Sequence, residues 1–260
     1  MRITQAYITP CLRKFEQRYW NKYKLQPYLN SNEPALFFGC FSNATMHKLT
    51  KHNSTAVVVW AGSDAASLRN KKWASFFQGN KKVFHIAKSE DIENDLRLAG
   101  LMYKAVPVNA VNPDLFRPVA LGQSIYSYGE VQKPEVYGGA LICNIANECS
   151  STSFITANSS SGDFAYSEMA NLYSKCFLGL RLTKHDGLSN TVIELGLMGR
   201  RCVHNNSKLP NAIPWKTHSD IVQAIQIEQQ KIGTTDYVIA DKMNAFLKIS
   251  DNWLQTDFYL

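Results

Sequence analysis

The feature that most restricts the fold is an alternation of short, wholly apolar runs with helical stretches. Ala35–Phe38 (ALFF) and Ala56–Trp60 (AVVVW) have the composition of buried strands, and helical patterns follow at 43–52 and 65–78. Strands that are apolar on both faces need cover on both sides, and intervening helices provide it. The pattern therefore predicts an α/β fold built on parallel sheets.

The alternation is interrupted once. The segment VNPDLFRPVALGQ (111–123) contains Pro113, Pro118 and Gly122 and has no periodicity. This interruption predicts two domains, 1–118 and 119–260, with the tail from residue 243 packing back on the first. The remaining predicted elements are strands at 82–86, 103–108, 124–128, 152–157, 176–182 and 201–204, helices at 90–101 (capped by Ser89), 163–175, 188–199 and 218–231, and an ambiguous segment at 135–143.

The whole chain has a net charge of +7, and its basic residues are concentrated in the first half. Residues 1–118 contain 17 Lys and Arg against 8 Asp and Glu, whereas residues 119–260 contain 11 against 13. Aromatic residues lie between the charges, as on surfaces that bind polyanions, although a solvated basic face or a core Trp73 gives the same pattern. The candidate polyanion-binding residues are Arg13, Lys14, Arg18, Lys22, Arg69, Lys71, Lys72 and Trp73.

Other features argue against several classes of protein. No run approaches 18 apolar residues, so we expect no transmembrane helix. The N-terminal residues MRITQAYITPCLRKF lack the apolar stretch of a secretory signal. The six cysteines are scattered without a C-x-x-C pair, which is typical of reduced core residues. We therefore expect an intracellular protein without disulfide bonds.

The segment GLRLTKHDGLSNTVIELG (179–196) has the densest group of reactive side chains. It passes from a predicted strand to a predicted helix, and ligands of open α/β sheets bind at that edge. Its backbone N–H groups at the helix start suit a phosphate, to which Arg and Lys add positive charge. The candidate phosphate-binding residues are Arg181, Lys184, Gly187, Leu188 and Ser189.

Two acids flank the start of this helix. Asp186 precedes it and Glu194 lies about two turns along it. A carboxylate can accept hydrogen bonds from two sugar hydroxyls, so a phosphate cradle between two such acids fits a nucleotide sugar. An exposed loop with a chance spacing of acids is the alternative interpretation.

The spacing of the two acids resembles the E-x7-E motif of GT-B glycosyltransferases of the family 4 type. Asp186 stands where that motif normally begins with Glu. NPDLFRP (112–118) is similar to the end of the N-terminal GT-B domain, SIYSYG (124–129) to the first strand of the C-terminal domain, and WAGSD (60–64) to a strand-end loop of short viral and bacterial members. The resemblance implies two Rossmann-like domains facing across a cleft, the N-terminal one binding the acceptor and the C-terminal one the nucleotide sugar.

The resemblance also implies roles for the matching positions. Glu194 would bind the ribose of a UDP-linked sugar, and Asp186 would contact the donor sugar. Fixed cations and a helix terminus stabilise a departing diphosphate, so neither a cofactor nor a metal ion would be required. Arg181 and Lys184 would neutralise the diphosphate, and the N–H groups of Gly187, Leu188 and Ser189 would hold the distal phosphate.

Three residues are candidates for acid–base chemistry on the acceptor side. Asp64 follows a predicted strand and His85 lies in one, and either is a general base for an inverting transfer. A helix N-cap for Asp64 and a core histidine for His85 are the structural alternatives. His185 adjoins Asp186 and is the third candidate.

In size and charge the chain resembles the small basic GT-B enzymes of T-even-type phages, which add glucose or arabinose to hydroxymethylcytosine in duplex DNA. This resemblance implies duplex DNA as a partner, a base flipped out of the stack, and a location in the cytoplasm of the host. Two alternatives stay open. One is a glycosyltransferase for surface polysaccharide or a lipid-linked glycan, and the other is a non-catalytic nucleic-acid-binding α/β module.

Overall fold

The computed structural model describes residues 3–129, 134–158, 164–249 and 253–255. Their contacts divide the chain into two units. Unit 1 comprises the described residues within Met1–Ala110, His185–Leu188 and Leu247–Leu260, and unit 2 those within Val111–Lys184 and Ser189–Phe246. Each unit is built on one parallel sheet, so the predicted fold class is confirmed. The predicted assignment of acceptor to 1–118 and donor to 119–260 stays a prediction.

Six parallel strands form the sheet of unit 1. They are β1 (Gln5–Ile8), β2 (Gln26–Pro27), β3 (Ala35–Phe38), β4 (Ala56–Trp60), β5 (Val83–Ala87) and β6 (Lys104–Ala105), in the spatial order β2-β1-β3-β4-β5-β6. The two central apolar strands, β3 and β4, are buried along their whole length and pair in register from Ala35 opposite Ala56. Alternate side chains enter opposite faces, so Phe37 lies in one core cluster and Phe38 in the other.

Helices cover both faces of this sheet. They are α1 (Glu16–Tyr23), α2 (Asn43–Thr50), α3 (Lys71–Gly79) and α4 (Glu90–Leu98). Helix α1 buries Tyr19 against the face that holds Phe38, whereas α2, α3 and α4 pack on the opposite face. The tail contributes Trp253 to the α1 face, where its ring centroid lies 5.9 Å from that of Tyr23.

Two predicted elements of unit 1 differ from the structure. The helix predicted at 65–78 is a 3-10 turn, Ala65–Arg69, followed by α3, because Asn70 is extended and its side-chain oxygen accepts a hydrogen bond from the Lys72 N–H. Asn in this role begins a new helix. The strand predicted at 103–108 pairs with β5 only through β6, and Pro107 has no N–H with which to extend the ladder.

Five parallel strands form the sheet of unit 2. They are β7 (Ser124–Gly129), β8 (Ser153–Asn158), β9 (Cys176–Leu180), β10 (Arg201–Val203) and β11 (Ala212–Ile213), in the spatial order β11-β10-β9-β7-β8. The first four agree with the predicted strands to within two residues. The short strand β11 was too brief to leave a pattern in the sequence.

The helices of unit 2 are α5 (Gly139–Glu148), α6 (Met169–Ser174), α7 (Asn190–Leu197), α8 (His218–Gln229) and α9 (Tyr237–Lys248). The ambiguous segment at 135–143 therefore leads into a helix, which it enters through Gly138 in the left-handed conformation (φ 69°). Residue 163 of the predicted helix 163–175, and residues 250–252 and 256–260 of the predicted tail, lie outside the described residues. Within the described ranges, no helix has both the length and the apolar character that crossing a membrane requires.

Candidate functional site

Asp64 lies beyond the carboxyl end of β4 and joins two strand ends of unit 1. Its carboxylate accepts hydrogen bonds from the N–H groups of Cys40 at 2.8 Å, Gly62 at 2.8 Å and Ala61 at 3.0 Å. Only 2% of the residue is exposed. The N-cap interpretation is therefore wrong in its geometry, because the bound N–H groups belong to the ends of β3 and β4 and not to the turn Ala65–Arg69. These bonds account for a buried Asp64 without a catalytic role.

Replacing Asp64 by Asn is expected to lower the free energy of unfolding at pH 7 by about 2–3 kcal/mol, because an amide NH2 would then face a backbone N–H. Burial raises the pKa of Asp64 from 3.8 to about 6, against the opposing effects of the N–H donors and Lys88. The folded state thus binds this proton more tightly than the unfolded state, and wild type loses stability as pH rises from about 4 to about 6. Urea unfolding across that range should show the loss in wild type and a weaker one in Asp64→Asn. An identical pH dependence in the two proteins would contradict the assignment.

The loop His185–Leu188 is held by the first turns of α4. The Ser89 hydroxyl donates to the carbonyl of Asp186 at 2.9 Å, and the Asp186 N–H donates to Asp91 Oδ2 at 3.0 Å. His185 Nε2 lies 3.0 Å from Asp95 Oδ2. Ser89 occupies the predicted cap position of α4, but its hydroxyl is used to bind this loop. Three of the predicted site residues, His185, Asp186 and Gly187, are thereby brought to the carboxyl edge of the unit 1 sheet, where Asp64 lies.

Gly187 is required by the close approach of this loop to the end of β4. A Cβ atom at this position would overlap the backbone carbonyl of Ala61. Gly187→Ala is therefore expected to lower the free energy of unfolding by about 1–3 kcal/mol. Gly79→Ala is the control, because a Cβ there meets nothing within 4 Å and alanine favours the helix. Equal urea midpoints for the two variants would contradict this account of the loop.

Two aromatic candidates of unit 1 belong to its core. His85 accepts a hydrogen bond from Trp60 Nε1 at 3.2 Å, and burial lowers its pKa to about 4, so the core-histidine interpretation is confirmed. Trp73 is 8% exposed and packs in the cluster that contains Phe77. Trp73 is therefore a core residue, as the alternative interpretation of the basic cluster expected.

In unit 2, Glu194 is buried within α7. It is 4% exposed, and the hydroxyl of Tyr173 donates to its Oε2 at 2.9 Å. The ring of Tyr126 meets that of Tyr173 edge-on at 4.9 Å, and the pKa values of both phenols are raised by burial and by the charge of Glu194. This network fixes a carboxylate at the fifth residue of α7, the first helix after β9.

Arg181 follows β9 and packs against two tyrosine rings that meet edge-on at 4.9 Å. Its guanidinium carbon lies 4.7 Å from the ring centroid of Tyr128 and 4.8 Å from that of Tyr137. Such cation–π contacts restrict the guanidinium while it can still donate hydrogen bonds. Lys184 is exposed three residues further on, and Leu188 and Ser189 are buried where α7 begins. The segment thus presents two cations and a helix N-terminus at the carboxyl edge of the unit 2 sheet.

No model of a known family matches the sequence, and no curated protein matches it. Solved structures do. Staphylococcus aureus TarM (G117R mutant with fondaparinux, alpha-GlcNAc-glycerol and UDP) has a TM-score of 0.60 and 12% identity over 90% of this chain and 56% of that one. Sucrose-phosphate synthase from Thermosynechococcus elongatus has a TM-score of 0.58 and 12% identity over 93% of this chain and 74% of that one. The UDP-forming α,α-trehalose-phosphate synthase from Burkholderia vietnamiensis has a TM-score of 0.58 and 8% identity over 93% of this chain and 74% of that one.

The chain has the GT-B fold. Identities of 8 to 12% show the fold and no more, and the chain spans about half the length of TarM. Within the described residues of the GT-B chain, no group of three or more His, Cys, Asp or Glu side chains is placed to hold a metal ion.

The candidate polyanion-binding residues of unit 1 fall in two segments, one after β1 and one after β4. The turn Pro10–Phe15 comes directly after β1, and the turn Ala65–Arg69 comes after β4. Arg18 is half-buried with its guanidinium 5.3 Å from the Phe15 ring, and Lys22 donates to Asn109 within unit 1 at 3.0 Å. The exposed members are Arg13, Lys14, Arg69, Lys71 and Lys72.

Sequence reasoning missed three polar residues of the GT-B units. Tyr126 lies within the predicted strand 124–128 and Tyr173 within the predicted helix 163–175, and nothing in the sequence linked Tyr173 to Glu194, 21 residues away. Lys88 entered only the count of basic residues in 1–118, although it is buried after β5. Its position directly after an apolar strand was the one available signal, since polar residues at strand carboxyl ends face the ligand edge of such sheets.

Proposed function

We propose that this protein is a glycosyltransferase that moves a sugar from a nucleoside-diphosphate sugar, most favourably a UDP-sugar, to an acceptor hydroxyl. The observation that carries the proposal is in unit 2, where Arg181 on its two tyrosine rings, a helix N-terminus and the buried carboxylate of Glu194 follow one strand within fifteen residues. The GT-B fold supports it. So do two of the similar structures, because the TarM complex contains UDP and the trehalose-phosphate synthase is UDP-forming.

Each group of the proposed donor site binds a different part of the nucleotide sugar. Glu194, aligned by Tyr173, accepts hydrogen bonds from the ribose hydroxyls. Arg181 and Lys184 neutralise the diphosphate, and the N–H groups of Gly187, Leu188 and Ser189 bind its distal phosphate. As the glycosidic bond breaks, negative charge builds on the leaving diphosphate, and these fixed donors stabilise it without a metal ion. Asp186 contacts the donor sugar.

The burial and hydrogen-bond partners of the three acid–base candidates argue against a direct contact with substrate for each of them. His85 is excluded by its place in the core. Asp64 is occupied by backbone N–H groups, and His185 is paired with Asp95. Asp186 is the remaining acid, half-buried in the loop that α4 holds. We therefore assign the contact with the reacting sugar to Asp186 and give Asp64 and His185 supporting positions around it.

For the acceptor we propose 5-hydroxymethylcytosine in duplex DNA, as in the phage enzymes that the sequence resembles. Five exposed cations of unit 1 support this, because three lie on turns that follow β1 and β4 and two begin α3 after the second turn, where a DNA backbone would be held next to a reacting base. A transferase of surface polysaccharide or lipid-linked glycan is the second candidate, favoured by the fold shared with TarM, whose complex contains alpha-GlcNAc-glycerol.

The test is transfer from a panel of nucleotide sugars to duplex DNA containing hydroxymethylcytosine, followed by mass spectrometry of the digested nucleosides. A hexose or pentose mass added to the modified cytosine supports the DNA acceptor, and the product should diminish as salt rises. Nucleotide-sugar cleavage without modified DNA would exclude DNA and direct the same panel to lipid-linked glycans. DNA binding without cleavage of any donor would favour a non-catalytic module.

A further inference from the structure

Lys88 is a lysine buried at the carboxyl edge of the unit 1 sheet, directly after β5. It is 8% exposed, and its Nζ lies 5.0 Å from the centre of the Phe38 ring at the end of β3. An ammonium group in such surroundings has lost most of its water, so it needs fixed negative charge nearby to stay ionised.

Two carboxylates supply that charge. Burial lowers the pKa of Lys88 to about 8, while Asp64 and Asp186 both act to raise it. The carboxylate of Asp64 is fixed by the backbone N–H groups of Cys40 and Gly62. Ser89, which follows Lys88 in the chain, and Asp91 hold the backbone of Asp186, so the Asp186 loop is fixed beside the segment that carries Lys88.

The other charged groups around this edge are engaged elsewhere. Asp95 binds His185 at 3.0 Å and lies 3.7 Å from Arg69, and Asp91 accepts the N–H of Asp186. The thiol of Cys40, beside Asp64, is neutral because burial raises its pKa. Asp64 and Asp186 are therefore the carboxylates left to act on Lys88, whose neighbour Ser89 is bonded to the Asp186 carbonyl at 2.9 Å.

We propose that Lys88 is a positioning residue that orients the carboxylate of Asp186 toward the donor sugar. The inference rests on the proposed function, in which Asp186 makes that contact. Lys88 can do this only while it is charged, and a side chain that merely filled the space beside Phe38 would carry no such requirement. Methionine is the matched apolar replacement, and arginine keeps the charge at every accessible pH.

The kinetic test is nucleotide-sugar cleavage by the full-length protein from pH 6 to 10. Wild type should lose kcat/KM above about pH 8, and Lys88→Arg should move that loss upward by at least about one pH unit. Lys88→Met should lower kcat/KM by about 10- to 100-fold at pH 7, as changes in supporting groups do. Lys81→Met, an exposed lysine before β5, is the control and should match wild type. An unchanged alkaline limb in Lys88→Arg, or full activity in Lys88→Met, would overturn the proposal.

A second test does not need a donor. Urea midpoints are compared for wild type, Lys88→Met, Asp186→Asn and the double variant. If Lys88 acts on Asp186, the double variant should be more stable than the sum of the two single changes predicts. Additive changes would overturn the inference whatever the kinetics show. A non-additive cycle in a protein that cleaves no nucleotide sugar would instead overturn the proposed function and the donor role of the pair.

Discussion

Replacing Arg200 by Met is expected to cost the protein at least about 4 kcal/mol of unfolding free energy, the largest stability loss that we foresee for a single substitution. Arg200 is 0% exposed and its guanidinium donates only to backbone carbonyls in the described residues. The acceptors lie in three segments of unit 2, and they are Val119, Ala120, Tyr173, Ser174, Cys176 and Met198.

The size of this effect comes from what the substitution leaves behind. Methionine fills much of the same volume but has no donor, so several buried carbonyls lose their partners together. Lysine has three donors on one atom and cannot reproduce the planar fork, so Arg200→Lys should recover only part of the loss.

Arg201→Met is the matched control. The neighbouring Arg201 is 37% exposed and lies 3.8 Å from Glu228, which also pairs with Lys231 at 2.6 Å. A change of about 1 kcal/mol or less is expected there. Urea unfolding followed by circular dichroism measures all three variants. An Arg200→Met protein as stable as Arg201→Met would show that the carbonyl contacts do not stabilise unit 2.

The second large effect is on activity. Glu194→Gln is expected to lower nucleotide-sugar cleavage by about 100-fold or more, because a buried amide would present an N–H donor where the ribose needs an acceptor. The fold should survive, since the remaining amide oxygen can still accept the hydrogen bond from Tyr173. Isotopic or coupled detection of the released nucleoside diphosphate gives the rate.

Two further variants separate the ribose contact from general damage. Tyr173→Phe removes the hydroxyl that aligns Glu194 and should cost about tenfold, as supporting contacts do. Glu148→Gln changes an exposed glutamate of unit 2, 3.4 Å from His218, and should leave the rate unchanged. If Glu194→Gln cleaved donor at the wild-type rate, Glu194 would not be part of the donor site.

The sequence predicted the strands and helix starts that are determined by residues adjacent in the chain. The runs at β3 and β4 are apolar at every position, as expected for strands covered on both faces, and the helices between them indicate a parallel sheet. The break at Asn70 was also readable in principle, because Asn followed by two lysines and an apolar pattern is a helix start. The turn after β4 was misread because Asp64 is two residues from a glycine and looks like a helix cap.

The missed features depend on partners far away in the chain. Lys88 lies beside the Phe38 ring, 50 residues distant, and the next residue, Ser89, binds the carbonyl of Asp186, 97 residues further along the chain. Trp73 looked like part of a basic surface, and only the packing of α3 on the sheet shows that its ring is covered. A charge pattern records which residues are present, but which of them face solvent is decided by tertiary contacts.

The central claim is that unit 2 binds and activates a nucleotide sugar, and the release of free nucleoside diphosphate from a panel of such sugars tests it most directly. Wild type should release nucleoside diphosphate from at least one donor without added metal, and Glu194→Gln should release it about 100-fold more slowly at an unchanged urea midpoint. Release at equal rates by both proteins, or by neither with any donor, would contradict the claim.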